Sequence, residues 1–341
     1  MKKIGLMGCG VVAGYGHIPA IQQVADLDLC AIYDPNAENL KKTQQDFGIP
    51  LAFADVEAFF ASGIEAVSIT SPAPCHLRNV IDAARHRLPV LCEKPLATDQ
   101  AEAAEMIAAM HTAGVSLHTA FCYRFGRAAL KIRDLVAAGA IGDVRSLRLI
   151  YVWDAHGKYA RDAAGRRVIQ KRRADRMIEG GPMVDCGTHQ IDLARFWLRS
   201  EVVRCTGHGA WVDEYEAPDH MWLHMDHANG AHTVVEISYS YYHTALRKRH
   251  EFVYELIGTK GVIRYDRECR SFTMETDSGS QVFEFADEKD FRGMYAEWAA
   301  ALAGRDAGLL PTGADGLRAT ELARVATEDV IRGRVSPERK D

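Results

Sequence analysis

A chain of 341 residues with 41 basic and 46 acidic side chains can bury a sizeable core in two domains. Its net charge of -5 carries no electrostatic footprint for nucleic acid or an anionic membrane. The eight cysteines are scattered singly, without a CxxC or a ligand-like Cys/His cluster, which points to reduced thiols in a cytoplasmic protein rather than a disulfide framework.

In chain order, the apolar run Ile4–Met7 is too short for a signal peptide and leads straight into Gly8-Cys9-Gly10-Val11-Val12-Ala13, so it reads as a first strand. Strand-like runs follow at Leu27–Tyr33, Leu51–Phe53, Ala66–Thr70, Val90–Cys92 and Val115–Thr119, separated by amphipathic stretches. Asp99 is placed to cap one of these, with Ala103, Met106, Ile107 and Met110 at helical spacing. Alternation of this kind predicts an α/β domain over residues 1–121, a doubly wound parallel sheet. No segment reaches the roughly 20 uninterrupted apolar residues that span a bilayer.

The glycine turn has the form GxGxxA. Gly8 permits the tight turn, Gly10 lets the backbone approach a pyrophosphate, and Ala13 keeps helix and strand close, so Gly8, Cys9, Gly10, Val11 and Val12 are candidate phosphate-binding residues. Asp34, at the end of the second strand, stands where a ribose-binding carboxylate is expected. It would repel a 2'-phosphate, which favours NAD over NADP, although Lys41 and Lys42 lie nearby and a helix cap is the alternative role for Asp34.

Ser71 and His76 follow the fourth strand and Glu93-Lys94-Pro95 the fifth, at carboxyl ends where open α/β sheets bind ligands. All four of Ser71, His76, Glu93 and Lys94 are candidate cofactor contacts, and Lys94 is also a candidate catalytic group. A helix start for His76 and a surface ion pair for Glu93-Lys94 are the plainer alternatives.

From Cys122 the pattern changes. A helix over Arg127–Ala137, a turn at Gly139–Gly142 and strands at Val144–Val152, Val234–Tyr242, Phe252–Gly258 and Val262–Tyr265 predict an α+β domain over 122–341. It would be built on a large, mainly antiparallel open sheet. Gly180-Gly181-Pro182 opens a helix to about Leu198, within which Asp185 and His189 are one turn apart. His189 is the natural acceptor of an alcohol proton, with Asp185 orienting the imidazole and Lys94 stabilising alkoxide; a solvated Asp/His helix face is the alternative.

Tyr123, Arg124, Trp153 and His156 are candidate sugar contacts. Seven basic residues lie between Arg161 and Arg176 in what reads as a loop, and Arg173 is the candidate there for recognising a substrate carboxylate or phosphate, against a merely solvated loop. His220, His224, His227 and Asp226 invite a metal reading, but strand alternation accounts for them and no metal is expected.

The segments GCGVVA with His17-Ile18-Pro19-Ala20, SPAPCH, LCEKPLA, YRFGRA, GGPMVDCGTHQID, ELIGTKG and PTGADGLRATELA occur in order over nearly the whole chain. In these segments it resembles the Gfo/Idh/MocA oxidoreductase family. The resemblance implies a Rossmann domain, a C-terminal domain whose sheet often mediates oligomers (a homodimer or tetramer), and catalytic roles for Lys94, Asp185 and His189. It further implies sugars, amino sugars, uronates or cyclitols as substrates. The expectation is an NAD-dependent dehydrogenase of a sugar or polyol alcohol, with an NAD-retaining glycoside hydrolase or lyase and a non-catalytic NAD/sugar sensor as alternatives.

Overall fold

The computed structural model describes residues 1–154, 159–242, 244–306 and 308–334. They divide into two units, Met1–Gly126 with Lys289–Thr320, and Arg127–Glu288 with the described residues from Glu321.

Unit 1 begins with β1 (Lys2–Met7), α1 (Ile18–Gln22), β2 (Leu27–Tyr33), α2 (Ala37–Phe47), β3 (Leu51–Phe53) and α3 (Val56–Phe60). It continues with β4 (Ala66–Ile69), α4 (His76–Arg85), β5 (Val90–Cys92), α5 (Gln100–Ala113) and β6 (Leu117–Thr119). The strands form one parallel sheet in the order β3-β2-β1-β4-β5-β6. Every residue of β4 and β5 is buried, as expected of a parallel sheet covered on both faces. The order reverses beside β1, so the exits of β1 and β4 flank a topological switch point, the usual ligand crevice of such sheets.

Local chemistry ends the helices where the chain must turn. Asp99 accepts a hydrogen bond from the Glu102 N–H at 2.9 Å, and Gly114 closes α5 in the left-handed conformation at φ 72°. Replacing Asp99 with alanine is expected to cost about 1 kcal/mol, read as a lowered Tm. Asn36 caps α2, its side chain accepting from the Glu38 and Asn39 N–H groups, so Asp34 is not the cap of that helix.

Unit 2 holds α6 (Arg127–Ala137), β7 (Val144–Val152), β8 (Tyr159–Arg161), β9 (Arg167–Ile169), α7 (Lys171–Ile178) and α8 (Thr188–Leu198). There follow β10 (Val202–Ala210), β11 (His220–His227), β12 (His232–Ser238), β13 (Glu251–Gly258), β14 (Gly261–Asp266), β15 (Ser271–Thr276) and β16 (Gly279–Val282). Eight strands form an open sheet in the order β10-β11-β12-β7-β13-β14-β15-β16, antiparallel except where β12 meets β7. The basic stretch read as a loop is ordered instead as the β8–β9 hairpin and α7. The strand expected to reach Tyr242 ends at Ser238, although the Tyr239 N–H still keeps the register with β11, bonding the carbonyl of Asp219, the residue before β11, at 2.9 Å.

In β11 the residues alternate: Met221, Leu223, Met225 and His227 are buried, and His220, Trp222, His224 and Asp226 are partly exposed. His227 faces the Ser200 carbonyl at 3.2 Å and the Thr233 hydroxyl at 2.9 Å. Among the described residues no group of three His, Cys, Asp or Glu side chains is arranged to hold a metal ion, and no helix is long and apolar enough to cross a membrane.

The chain closes with α9 (Phe291–Leu302) and α10 (Gly313–Arg332). Residues Lys289–Thr320 group with unit 1, whereas a boundary at 121 assigns them to the second domain. The reason is pairing across long sequence separations. The Thr119 N–H bonds the Pro311 carbonyl at 3.0 Å, the Thr119 hydroxyl bonds the Thr312 carbonyl at 3.1 Å, and Arg124 pairs with Asp315 at 3.4 Å.

Candidate active site

In unit 1, β1 ends in a turn that only glycine can make at its first position. Gly8 has φ 100°, and a Cβ there would lie 2.5 Å from the Ser71 backbone nitrogen. Asp34 then clamps the turn: its Oδ2 accepts from the Cys9 N–H at 2.7 Å and its Oδ1 from the Asn36 N–H at 2.8 Å. Each carboxylate oxygen retains a second lone pair for an outside donor. A Cβ on Gly10 would meet nothing within 4 Å, and Val11 is 65% exposed, so the outer side of the turn is open.

From Val11 the backbone is helical, passing through a π-helical turn at Ala13–His17 into α1. The first N–H groups of such a run have no partner within the helix and carry its positive dipole end. The turn therefore fits a dinucleotide: an open glycine face, free helix-start donors and a carboxylate at the end of the neighbouring strand. Burial, aided by the Asp34 charge, pushes the Cys9 thiol up to about 12, so it is a neutral packing group.

Beyond β4, the Ser71 hydroxyl accepts from the Asn79 amide at 2.8 Å. His76 starts α4 and is buried, its Nε2 at 2.9 Å from the Ser71 carbonyl and its Nδ1 at 3.1 Å from those of both Pro95 and Leu96. It thus ties the exit of β4 to the turn after β5, and burial lowers its pKa. Glu93, also buried, accepts from the Lys94 N–H at 3.0 Å and contacts His17 Nε2 at 2.8 Å. Tyr123 and Arg124 lie in a short 3-10 turn after β6 and are buried, with the Lys289 ammonium 5.6 Å from the Tyr123 ring centre.

In unit 2, Gly180 and Gly181 adopt φ 118° and 71°, turning the chain into Pro182 and a helical run. That run contains a second π-helical turn, Met183–Gly187, before α8. Asp185 sits in the π turn and His189 in the first turn of α8, both buried. Such turns recur at functional sites because they re-aim side chains within an otherwise regular helix.

Two residues not singled out from the sequence hold Asp185. The Tyr239 hydroxyl donates to its Oδ2, and the Arg176 guanidinium lies 3.8 Å from the same oxygen while also pairing with Glu179. Burial, then the Asp185 charge, pushes the Tyr239 phenol well above its ordinary value, so it remains a donor. The Asp185 charge is in turn the main reason that Arg176 is held protonated. An aspartate gripped by a phenol and a guanidinium stays ionised, leaving the adjacent histidine to exchange a proton.

Arg176 was visible only as one of seven basic residues.

Arg173 lies inside unit 2, fully buried, with Nη1 3.1 Å from Asp154 and Nη2 bonded to Ser240. Its charge is met by protein groups, and the α7 arginine that reaches Asp185 is Arg176. Trp153 stacks on Tyr151 at 3.9 Å between ring centres and meets the Tyr239 ring edge-on at 5.1 Å, so it buttresses the Asp185 donor. His156 lies outside the described residues.

Residues 2–121 match the family model described as oxidoreductase family, NAD-binding Rossmann fold, and residues 129–264 match that of the GFO/IDH/MocA C-terminal domain. D-apiose dehydrogenase of Rhizobium rhizogenes is 29% identical over 274 residues, which cover 79% of this chain and 74% of that protein. Myo-inositol 2-dehydrogenase of Thermotoga maritima is 29% identical over 214 residues, 62% of this chain and 60% of that one. The fold is shared with an oxidoreductase from Agrobacterium radiobacter solved with NAD+, L-tartaric acid and magnesium, at a TM-score of 0.82 and 23% identity over 98% of this chain and 97% of the other.

Proposed function

Since the chain belongs to the Gfo/Idh/MocA family of oxidoreductases, we propose that it oxidises a secondary alcohol of a sugar, cyclitol or related polyol, or reduces the corresponding ketone, with NAD. The observation that carries this reading is Asp185, buried and gripped by Tyr239 and Arg176, one helical turn before the buried His189. Gly8, Cys9, Gly10, Val11, Val12 and Asp34 would hold the dinucleotide, with Ser71, His76 and Glu93 around them. When bound, the nicotinamide supplies the hydride acceptor.

The protein's own share is proton handling. His189 takes the alcohol proton, Asp185 stabilises the resulting imidazolium, and Lys94 stabilises developing alkoxide charge. Tyr239 and Arg176 keep Asp185 from taking the proton itself.

Asp34 underlies the preference for NAD. The expected result is that NAD binds at least about 10-fold tighter than NADP, and that Asp34→Ser narrows this ratio, because a 2'-phosphate is no longer repelled. The ratio is the quantity to measure by calorimetric titration, since losing the clamp on Cys9 and Asn36 weakens both cofactors alike. Equal wild-type affinities would remove the preference.

The function itself is tested by incubating the protein with NAD and a panel of cyclitols, aldoses, amino sugars and uronates while following reduced nicotinamide. Turnover on a member of the panel supports the dehydrogenase. NAD binding without turnover on any member counts against it and favours internally recycled NAD in a glycoside-cleaving enzyme, or a sensor. A homodimer or tetramer belongs to the same proposal, and light scattering on the eluting protein measures it.

A further inference from the structure

Four buried polar side chains from distant parts of unit 1 form a single chain of contacts ending at the Glu93-Lys94 pair. Ser68 Oγ lies 2.6 Å from the Tyr295 hydroxyl, Tyr295 lies 2.6 Å from His17 Nδ1, and His17 Nε2 lies 2.8 Å from Glu93 Oε1. Glu93 Oε2 accepts the Lys94 N–H. Ser68, His17 and Tyr295 are 0% exposed, so the chain is a built element of the interior.

Its polarity follows from donor chemistry. An ionised carboxylate only accepts, so the proton on Nε2 of His17 points to Glu93. With a neutral ring, Nδ1 then accepts from Tyr295, whose oxygen accepts from Ser68, and every bond donates toward Glu93. His17 is also the last residue of the π-helical turn that follows the glycine turn, so one ring joins the dinucleotide turn to the exit of β5.

We propose that His17 is a positioning residue: by donating to Glu93 it keeps that carboxylate anionic and fixed beside Lys94, and thereby sets the charge of the lysine. The catalytic weight of this rests on the role proposed above for Lys94. Burial alone would push the Glu93 carboxyl up, but the hydrogen bond from His17, with the charge of Lys94, holds it below the usual carboxylate range. The other titratable groups that feel Glu93 are Cys92, His76 and Tyr295; burial keeps the thiol and the phenol protonated and opposes charge on the imidazole. His17 and Lys94 are thus its effective partners.

The test reads Lys94 directly, without substrate or cofactor. The rate of Lys94 acetylation against pH, followed by peptide mass spectrometry, gives the midpoint at which the ammonium loses its proton. In His17→Ala, Glu93 loses its donor, becomes neutral when buried, and the Lys94 midpoint falls by about one pH unit. Glu93→Gln gives the same fall, and the double variant falls no further, because the two act through one contact. If the alanine variant does not fold, His17→Asn, whose amide is too short to reach Glu93, takes its place. A Lys94 midpoint unchanged in the His17 variant, or a shift that adds in full to that of Glu93→Gln, overturns the proposal. A protein that binds NAD but oxidises nothing would sink the dehydrogenase reading and leave this titration intact.

Discussion

Replacing His189 with alanine is expected to lower kcat by about 10²–10⁴-fold, the usual worth of a positioned acid/base, while NAD affinity stays within about two-fold of wild type. Inside unit 2 the proton acceptor follows by elimination. Asp185 accepts from Tyr239 and faces a guanidinium, both of which favour its ionised form, so protonating it would sacrifice those contacts. Histidine is the one neighbour whose ordinary titration lies near neutrality. The split between kcat and cofactor binding is the informative part, since a variant that merely misfolds loses both. Wild-type kcat in the His189→Ala protein would refute the assignment.

Gly8→Ala is expected to abolish measurable NAD binding and to destabilise unit 1 by on the order of 3 kcal/mol. Two costs fall on one atom. A φ of 100° is a conformation that side chains of L residues rarely adopt, and the added Cβ would sit 2.5 Å from the Ser71 nitrogen and 2.6 Å from its Cα. Those are backbone atoms, so relief requires β1 and the exit of β4 to separate, which also pulls Cys9 away from Asp34. Gly10→Ala makes the contrast, because a Cβ there meets no protein atom. It should fold normally and weaken only the cofactor. Thermal unfolding and NAD titration of the two variants, side by side, separate the roles; equal Tm values would contradict the account.

Much of the fold could be read from the sequence wherever local signals suffice. β2, β3, β5, α6 and β7 begin and end where their apolar runs and flanking turn residues say they should. Asp99 caps its helix for the same reason. Other elements depend on contacts that no local pattern encodes. The placement of Tyr239, just past β12, is set by pairing with the Asp219 carbonyl 20 residues upstream in the chain. The arginine-rich stretch lacks apolar periodicity, yet α7 buries Arg173 against Asp154 and presents Arg176 to Asp185. The residue types of the EKP and DxxxH segments are legible in the sequence itself. The contacts of His17 with Glu93 and of Tyr239 with Asp185 are not, because they join residues far apart in the chain, and Arg176 carries no local mark that separates it from the other arginines of its stretch.

The return of residues 289–320 to unit 1 has a consequence for biosynthesis. A nascent chain that has emerged only as far as Gly126 holds all six strands of the parallel sheet. It still lacks Tyr295 to join His17 with Ser68, and Pro311 and Thr312 to receive Thr119. At ordinary translation speeds the missing segment arrives roughly 10–40 s later. During that interval the edge strand β6 and a set of interior polar groups stand open, which makes this the stage at which a chaperone has most to shield.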